Sequence, residues 1–187
     1  MGKSILVTGG ARSGKSSFAE NLASSYGEKV LYLATAVAFD EEMQDRINKH
    51  REKRLESWTT IEEFKNLSEI IKDKGDRYDC ILLDCITVML TNIMMDYLNY
   101  KIEDVTMEDY IKIEDYLKDE VNKIMDAIDE INIKGILVTN EIGYGIVPEN
   151  LMGRVFRDIS GRINQILGRR SNEVYLVTCG IPMRIKG

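Results

Sequence analysis

The sequence predicts an α/β fold: one domain, residues 1–187, built on a mostly parallel sheet with helices on both faces. Two observations carry this. Runs rich in Ile, Leu and Val at Ser4 to Thr8, Lys29 to Ala34, Cys80 to Asp84, Gly135 to Thr139 and Val174 to Thr178 are continuously apolar rather than alternating. Strands covered on both faces read this way. Helical patterns separate the runs, which is the βαβ alternation of a parallel sheet.

The first strand leads directly into GGARSGKSS, residues 9–17, where Gly9, Gly14, Lys15 and Ser16 fill the pattern G-x-x-x-x-G-K-[ST]. In such a loop the glycines let backbone N–H groups face phosphate oxygens, the lysine reaches the β and γ phosphates, and the serine hydroxyl ligates Mg²⁺. A helix starting near Lys15 adds its positive end. A glycine-rich turn with an accidental lysine is the plain alternative; four filled positions behind a strand argue against it. The starting expectation is therefore a single P-loop (RecA-like) domain that binds a purine nucleoside triphosphate with Mg²⁺.

After the second strand comes a polar segment that reads as a helix from about Asp40, with Met43 and Ile47 on one side. Thr59-Thr60-Ile61-Glu62 has capping-box spacing and predicts a short helix containing Phe64, Leu67 and Ile71. The third strand ends at Asp84. An acidic residue at the carboxyl end of a strand beside a P-loop suits a metal-linked role, and an ordinary strand exit is the alternative. The clearest helix runs from about Asp109 to Asn132, where Ile113, Leu117, Val121, Ile124, Ile128 and Ile131 form one apolar stripe opposite an acidic, solvated face. A further helix is predicted from Pro148 and Glu149 to Gly168, carrying Arg154, Arg157 and Arg162.

The net charge of −6 and pI near 5.0 argue against a general nucleic-acid binder, which needs a basic face. Cys80, Cys85 and Cys179 form no C-x-x-C pair, and two lie in apolar runs, so a reduced, cytoplasmic chain is expected. No basic leader and no apolar stretch of membrane-spanning length is evident, so a soluble, unexported protein is expected. No N-K-x-D element is present, which disfavours a GTPase switch.

The sole histidine, His50, lies in DEEMQDRINKHREKR. A surface histidine on a charged helix is the bland reading. Lys49, Arg51, Lys53 and Arg54 could receive a triphosphate and would disfavour protonation of the imidazole, whose neutral form is a nucleophile. From the residues alone the reading stops at a P-loop phosphotransferase, with or without a histidine intermediate.

The chain resembles, almost end to end, the bifunctional adenosylcobinamide kinase and adenosylcobinamide-phosphate guanylyltransferase family of cobalamin synthesis. The stretches that carry this are ILVTGGARSGKS (5–16), VLYLAT (30–35), DEEMQDRINKHR (40–51), ILLDCITVMLTN (81–92), LVTNEIGYGIVPEN (137–150) and FRDISGRINQ (156–165). The P-loop is common to many enzymes, whereas the 137–150 stretch in order with the others is far more specific. The resemblance implies two reactions: phosphorylation of the aminopropanol hydroxyl of adenosylcobinamide by ATP or GTP, then transfer of GMP from GTP through a guanylylated histidine, giving adenosylcobinamide-GDP and pyrophosphate. It implies His50 as the nucleophile. Many relatives carry two adjacent histidines there, and this chain has Lys49-His50. It implies nucleotide contacts at Gly9, Gly10, Ala11, Arg12, Ser13, Gly14, Lys15 and Ser16, at Ala34, Thr35 and Ala36, at Arg51, Glu52, Lys53 and Arg54, and at Glu62 and Asp84. Ser16 and Asp84 are the implied metal positions, with Mg²⁺ as cofactor, and Glu62 is a candidate reader of guanine. A homo-oligomer, a trimer, is also implied. A plain small-molecule kinase and a non-catalytic GTP-binding module remain the rival readings; Asn140 and Glu141 are candidates for contact with Mg²⁺, water or substrate, with a structural turn as the alternative.

Overall fold

The structure, a computed structural model, describes residues 3–37, 57–99 and 105–187. Its elements in chain order are β1 (Lys3–Gly9), α1 (Lys15–Tyr26), β2 (Val30–Ala34), β3 (Thr59–Glu62), α2 (Leu67–Lys74), a 3-10 turn (Gly75–Arg77), β4 (Cys80–Asp84), α3 (Ile86–Tyr97), α4 (Met107–Ile131), β5 (Lys134–Asn140), α5 (Leu151–Arg170), β6 (Glu173–Thr178) and β7 (Ile181–Lys186). The strands form one sheet in the order β3-β2-β4-β5-β1-β6-β7. All neighbours are parallel except β7, which runs antiparallel to β6. The predicted α/β class, with a mostly parallel sheet and helices on both faces, holds.

Apolar continuity in the strands has the expected cause. Leu6, Leu31, Leu33, Ile81, Leu83 and Leu137 face a core built with α2 to α5. Their neighbours Ile5, Val7, Val30, Tyr32, Leu82, Ile136 and Val138 face the other side, against Ala19 and Ala23 of α1 and Trp58. With successive side chains pointing to opposite faces, a strand buried on both sides must be apolar at every position. Helix α4 buries Ile113, Leu117, Val121, Ile124 and Ile128 along the predicted stripe, each contributing about 1.5–3 kcal/mol relative to an exposed side chain.

Several local expectations are corrected. Thr59–Glu62 does not cap a helix. It is edge strand β3, pairing Leu31 with Thr59 and Ala34 with Glu62, so its backbone groups serve the ladder instead. The following helix starts at Leu67, after Asn66 in a left-handed conformation. A true capping box lies elsewhere: Thr106 N donates to Asp109 Oδ2 (3.0 Å) and Asp109 N donates to Thr106 Oγ1 (3.2 Å), starting α4 two residues earlier than the stripe suggested. Pro148 precedes α5 rather than opening it, because the Asn150 side chain accepts from Gly153 N (2.7 Å) and sets the cap there. Helix α3 and strand β7 had no counterpart in the sequence reading. The predicted helix from Asp40 lies outside the described residues.

Arg154, Arg157 and Arg162 of α5 serve the fold. Arg162 forks onto Glu114 of α4, with Nε to Oε1 at 2.6 Å and Nη2 to Oε2 at 2.7 Å. Arg157 bonds Asp158, and Arg154 bonds the carbonyls of Pro148 and Glu149. The Arg162 fork holds the Glu114 carboxyl below its ordinary value near 4.5, against the opposing pull of partial burial and with help from Lys118. A carboxyl depressed in this way stabilises the folded chain above its unfolded pKa, and that contribution fades as pH falls through the folded value. Glu114→Gln is therefore expected to lower the urea midpoint at pH 7, and the gap from the parent chain to narrow as pH falls below the ordinary glutamate value, measured by a denaturation series across that range.

Candidate functional site

Register brings the carboxyl ends of the strands to one edge. Glu62 of β3 pairs with Ala34 of β2, and Ala34 pairs with Asp84 of β4. Asp84 pairs with Val138 of β5, whose last residue Asn140 pairs with Gly9 of β1; Gly9 in turn pairs with Val177 of β6. At about 4.8 Å between strands, Asp84 stands roughly 10 Å along this edge from Gly9 and Glu62 roughly 19 Å from it. In an open parallel sheet this is where ligands bind. A nucleotide reaching from Gly9 to Glu62 must lie along the edge, across β5, β4 and β2.

The P-loop sits between the ends of β5 and β6. Its shape depends on close backbone packing: a Cβ on Gly9 would meet Ser13 Oγ at 2.6 Å and also the Val177 carbonyl oxygen. Gly14 has φ +93° and marks the start of α1, which begins at Lys15. Gly180, in the turn between β6 and β7, donates its N–H to Ser13 O (2.8 Å), and a Cβ on Gly14 would meet Gly180 Cα at 3.1 Å. The hairpin therefore backs the loop. Lys15 is buried, with Nζ donating to Gly10 O (3.2 Å) across the loop. Gly10, Ala11 and Arg12 are exposed at its tip, with Ser13 and Ser16 half-buried.

At the end of β4, Asp84 is half-buried and accepts from Tyr32 OH (3.0 Å). Thr35, just past β2, donates its N–H to Asp84 O (3.1 Å), and its hydroxyl accepts from Cys85 N (2.9 Å) while donating to Cys85 O (2.8 Å). Asn92 of α3 donates from Nδ2 to Thr35 O (2.7 Å). These bonds lock the ends of β2 and β4 together. Ala36 lies one residue beyond, half-buried, and Glu62 is exposed.

At the end of β5 a ring of hydrogen bonds closes on Asn140. Its N–H donates to Thr87 Oγ1 (2.8 Å); Thr87 and Thr139 hydroxyls meet at 3.2 Å; Thr139 Oγ1 donates to Asn164 Oδ1 (2.8 Å); and Asn164 Nδ2 returns to Asn140 O (3.0 Å). Because Thr139 spends its single proton on Asn164, Thr87 is the donor in the shared bond. Both backbone groups of Asn140 are thereby held by side chains. Glu141 N then donates to Gly9 O (3.0 Å), fastening the exit of β5 to the mouth of the P-loop.

Asp84 and Ser16 offer carboxylate and hydroxyl oxygens, hard donors that suit Mg²⁺ alongside nucleotide phosphates. Tyr32 orients the Asp84 carboxylate at the strand end through Oδ2. Among the described residues no three His, Cys, Asp or Glu converge as an all-protein metal cage. His50, Arg51, Glu52, Lys53 and Arg54 lie outside the described residues. The remaining candidates, 9–16, 34–36, 62 and 84, share the one edge. Thr87, Asn92, Thr139, Asn164 and Gly180, which shape that edge, were missed; the available signal was an asparagine set among Ile159, Ile163, Ile166 and Leu167 of an amphipathic helix.

A family model described as CobU, cobinamide kinase / cobinamide phosphate guanyltransferase, matches residues 5–185. The chain is 45% identical over 182 residues to the bifunctional adenosylcobalamin biosynthesis protein CobU of Escherichia coli, covering 97% of this chain and 99% of that relative. It is 35% identical over 182 residues to the bifunctional adenosylcobalamin biosynthesis protein CobP of Pseudomonas aeruginosa, covering 97% and 96%. A solved KaiC-like protein of Pyrococcus horikoshii aligns with TM-score 0.48 and 15% identity over 93% of this chain and 70% of that one.

The ring around Asn140 is testable on its own. Asn164→Leu leaves the Asn140 carbonyl and the Thr139 hydroxyl without their partner, and is expected to cost about 1–3 kcal/mol of unfolding free energy, read from urea denaturation with an unchanged m-value.

Proposed function

Because the chain belongs to the cobinamide kinase / cobinamide phosphate guanyltransferase family, we propose that it is a bifunctional transferase of cobalamin biosynthesis that performs both reactions on this one sheet edge. It phosphorylates the aminopropanol hydroxyl of adenosylcobinamide with ATP or GTP, and then joins GMP from GTP to the resulting phosphate. The observation that carries the reading is the register itself, which sets the P-loop, Ala34, Asp84 and Glu62 in one row on a chain that matches the family from residue 5 to residue 185.

In the kinase step the backbone N–H groups of 9–16 and the start of α1 receive the phosphates. Lys15 exchanges its bond to Gly10 O for the β and γ oxygens and neutralises charge as the acceptor hydroxyl displaces the nucleoside diphosphate. Ser16 and Asp84 would hold Mg²⁺, which when bound would offset charge on the phosphates.

In the transferase step a ring nitrogen of His50 attacks the α-phosphorus of GTP. A P–N bond forms and the P–O bond to pyrophosphate breaks. An oxygen of adenosylcobinamide phosphate then displaces the histidine, breaking the P–N bond and giving adenosylcobinamide-GDP. Dividing the displacement avoids bringing two bulky anions together in one step. Arg51 to Arg54 receive the triphosphate, and Glu62, at the far end of the row, accepts guanine N–H groups. We further read the 187 residues as one domain that acts in the cytoplasm as a homotrimer. No helix among the described residues is long and apolar enough to cross a membrane.

The test uses Mg²⁺ and GTP labelled at the α or the γ phosphate, with His50→Ala and Lys15→Met beside the parent chain. The parent is expected to hold acid-labile, alkali-stable α-label and to pass it to phosphorylated cobinamide. His50→Ala loses α-label while still phosphorylating cobinamide. Lys15→Met loses cobinamide phosphorylation at least 100-fold. Cobinamide phosphorylation without α-label on the parent chain would reduce the protein to a kinase; nucleotide binding without turnover would make it a binding module.

A further inference from the structure

We propose that the loop after β5, residues 142–151, is the seat on which the corrinoid acceptor's macrocycle rests while its hydroxyl arm reaches the P-loop. This rests on the kinase reading above and adds to it where the acceptor sits. The loop and the first residue of α5 carry Tyr144, Ile146, Val147 and Leu151 at 83%, 95%, 59% and 48% exposure, four large apolar side chains within eight residues. Apolar surface gathered in this way marks a ligand or partner site, because a loop free to rearrange would bury it.

This loop is tied down at both ends. Glu141 N is bonded to Gly9 O, Gly143 N reaches Glu141 Oε1 (3.4 Å) and Gly145 N reaches Ile142 O (3.3 Å). At the far end Arg154 Nη1 holds Pro148 O (3.1 Å) and Glu149 O (2.5 Å), and Asn150 caps α5. The apolar side chains are thus held outward from a fixed ledge.

Its place suits one occupant. Tyr144 is three residues from Glu141 and Ile146 five, so at no more than about 3.6 Å per residue they lie within roughly 11 and 18 Å of the bond to Gly9. A kinase acceptor with its hydroxyl on a flexible arm needs its body held at about that remove from the γ phosphate. The acceptor's body is a broad macrocycle whose ring atoms and methyl groups can lie on aromatic and aliphatic side chains, as ligand sites commonly provide. Among the described residues, Met107, Ile111 and Tyr116 of α4 and Tyr97 at the end of α3 are also exposed, as are Ile181, Met183 and Ile185 of β7, a strand that runs antiparallel to β6; none of these reaches the exposure of Tyr144 and Ile146.

The experiment measures cobinamide binding by equilibrium dialysis and cobinamide phosphorylation with ATP and Mg²⁺, for the full chain and for Ile146→Asn, Tyr144→Ala and Ile146→Leu. Binding of a fluorescent GTP analogue and sedimentation velocity serve as controls. Ile146→Asn and Tyr144→Ala are expected to raise the acceptor's Kd and KM at least tenfold with GTP-analogue binding and sedimentation unchanged, and Ile146→Leu to restore both. Unchanged acceptor affinity overturns the proposal, as does a parent chain that binds no cobinamide. A variant that falls to a smaller oligomer also overturns it, showing a contact between copies of the chain. Should the parent bind cobinamide without phosphorylating it, and Ile146→Asn abolish that binding, the ledge stands and the kinase reading falls.

Discussion

Parallel pairing is the constraint from which the rest of this molecule follows. Six strands that run the same way deliver six carboxyl ends to a single edge, and at each one the ladder stops and backbone groups lose their partners. The chain answers each end differently. At β1 the backbone turns into a loop that leaves N–H groups available for an anion; at β2 and β4 the ends are tied to each other through the Thr35 hydroxyl; at β5 a ring of three side chains takes up both groups of Asn140. The ligand-binding edge and the satisfied edge are one structural problem, solved in some places by the protein and left in one place for a nucleotide.

The polar side chains behind the edge sit in surroundings that make them effective. Thr35, Thr87, Asn92 and Thr139 are all buried. A hydrogen bond there is stronger than one in water, and a missing one is correspondingly expensive. Thr35 and Asn92 connect β2, β4 and α3, while Thr87, Thr139 and Asn164 connect α3, β5 and α5. Helix α3 is thus shared by both clusters, which makes its orientation the common reference for the ends of three strands.

What could be read from the sequence was whatever is contiguous. Strands β1, β2, β4 and β5 announced themselves because burial on both faces leaves an uninterrupted apolar run, and α4 because burial on one face leaves a stripe. Helix α3 carries a stripe too, Ile86, Met89, Leu90, Ile93 and Met94 at helical spacing, but it follows the run of β4 without a break, and its buried polar residues Thr87 and Asn92 blur its edge. The two edge strands escaped for the opposite reason. Both β3 and β7 are largely exposed, and Thr59 to Glu62 carries a pattern that a helix start shares. At the site, the P-loop was legible because eight neighbouring residues form it. The ring at Asn140 joins positions 53 and 25 apart, and nothing in a linear reading brings Thr87, Thr139 and Asn164 together.

The place of β1 in the sheet bears on how the chain leaves the ribosome. The P-loop is complete in sequence by Ser16, yet the strand that carries it is flanked by β5 and β6, beginning at Lys134 and Glu173, and its loop is backed by Gly180. Strand β1 therefore has one edge covered only when β5 arrives and the other only when β6 does. A nascent chain arrested before residue 173 would display an apolar strand with one open edge and a phosphate loop without its support. Support for the loop is in this sense delivered by the later part of the chain, and a chaperone that shields β1 during translation would be protecting the P-loop along with the core.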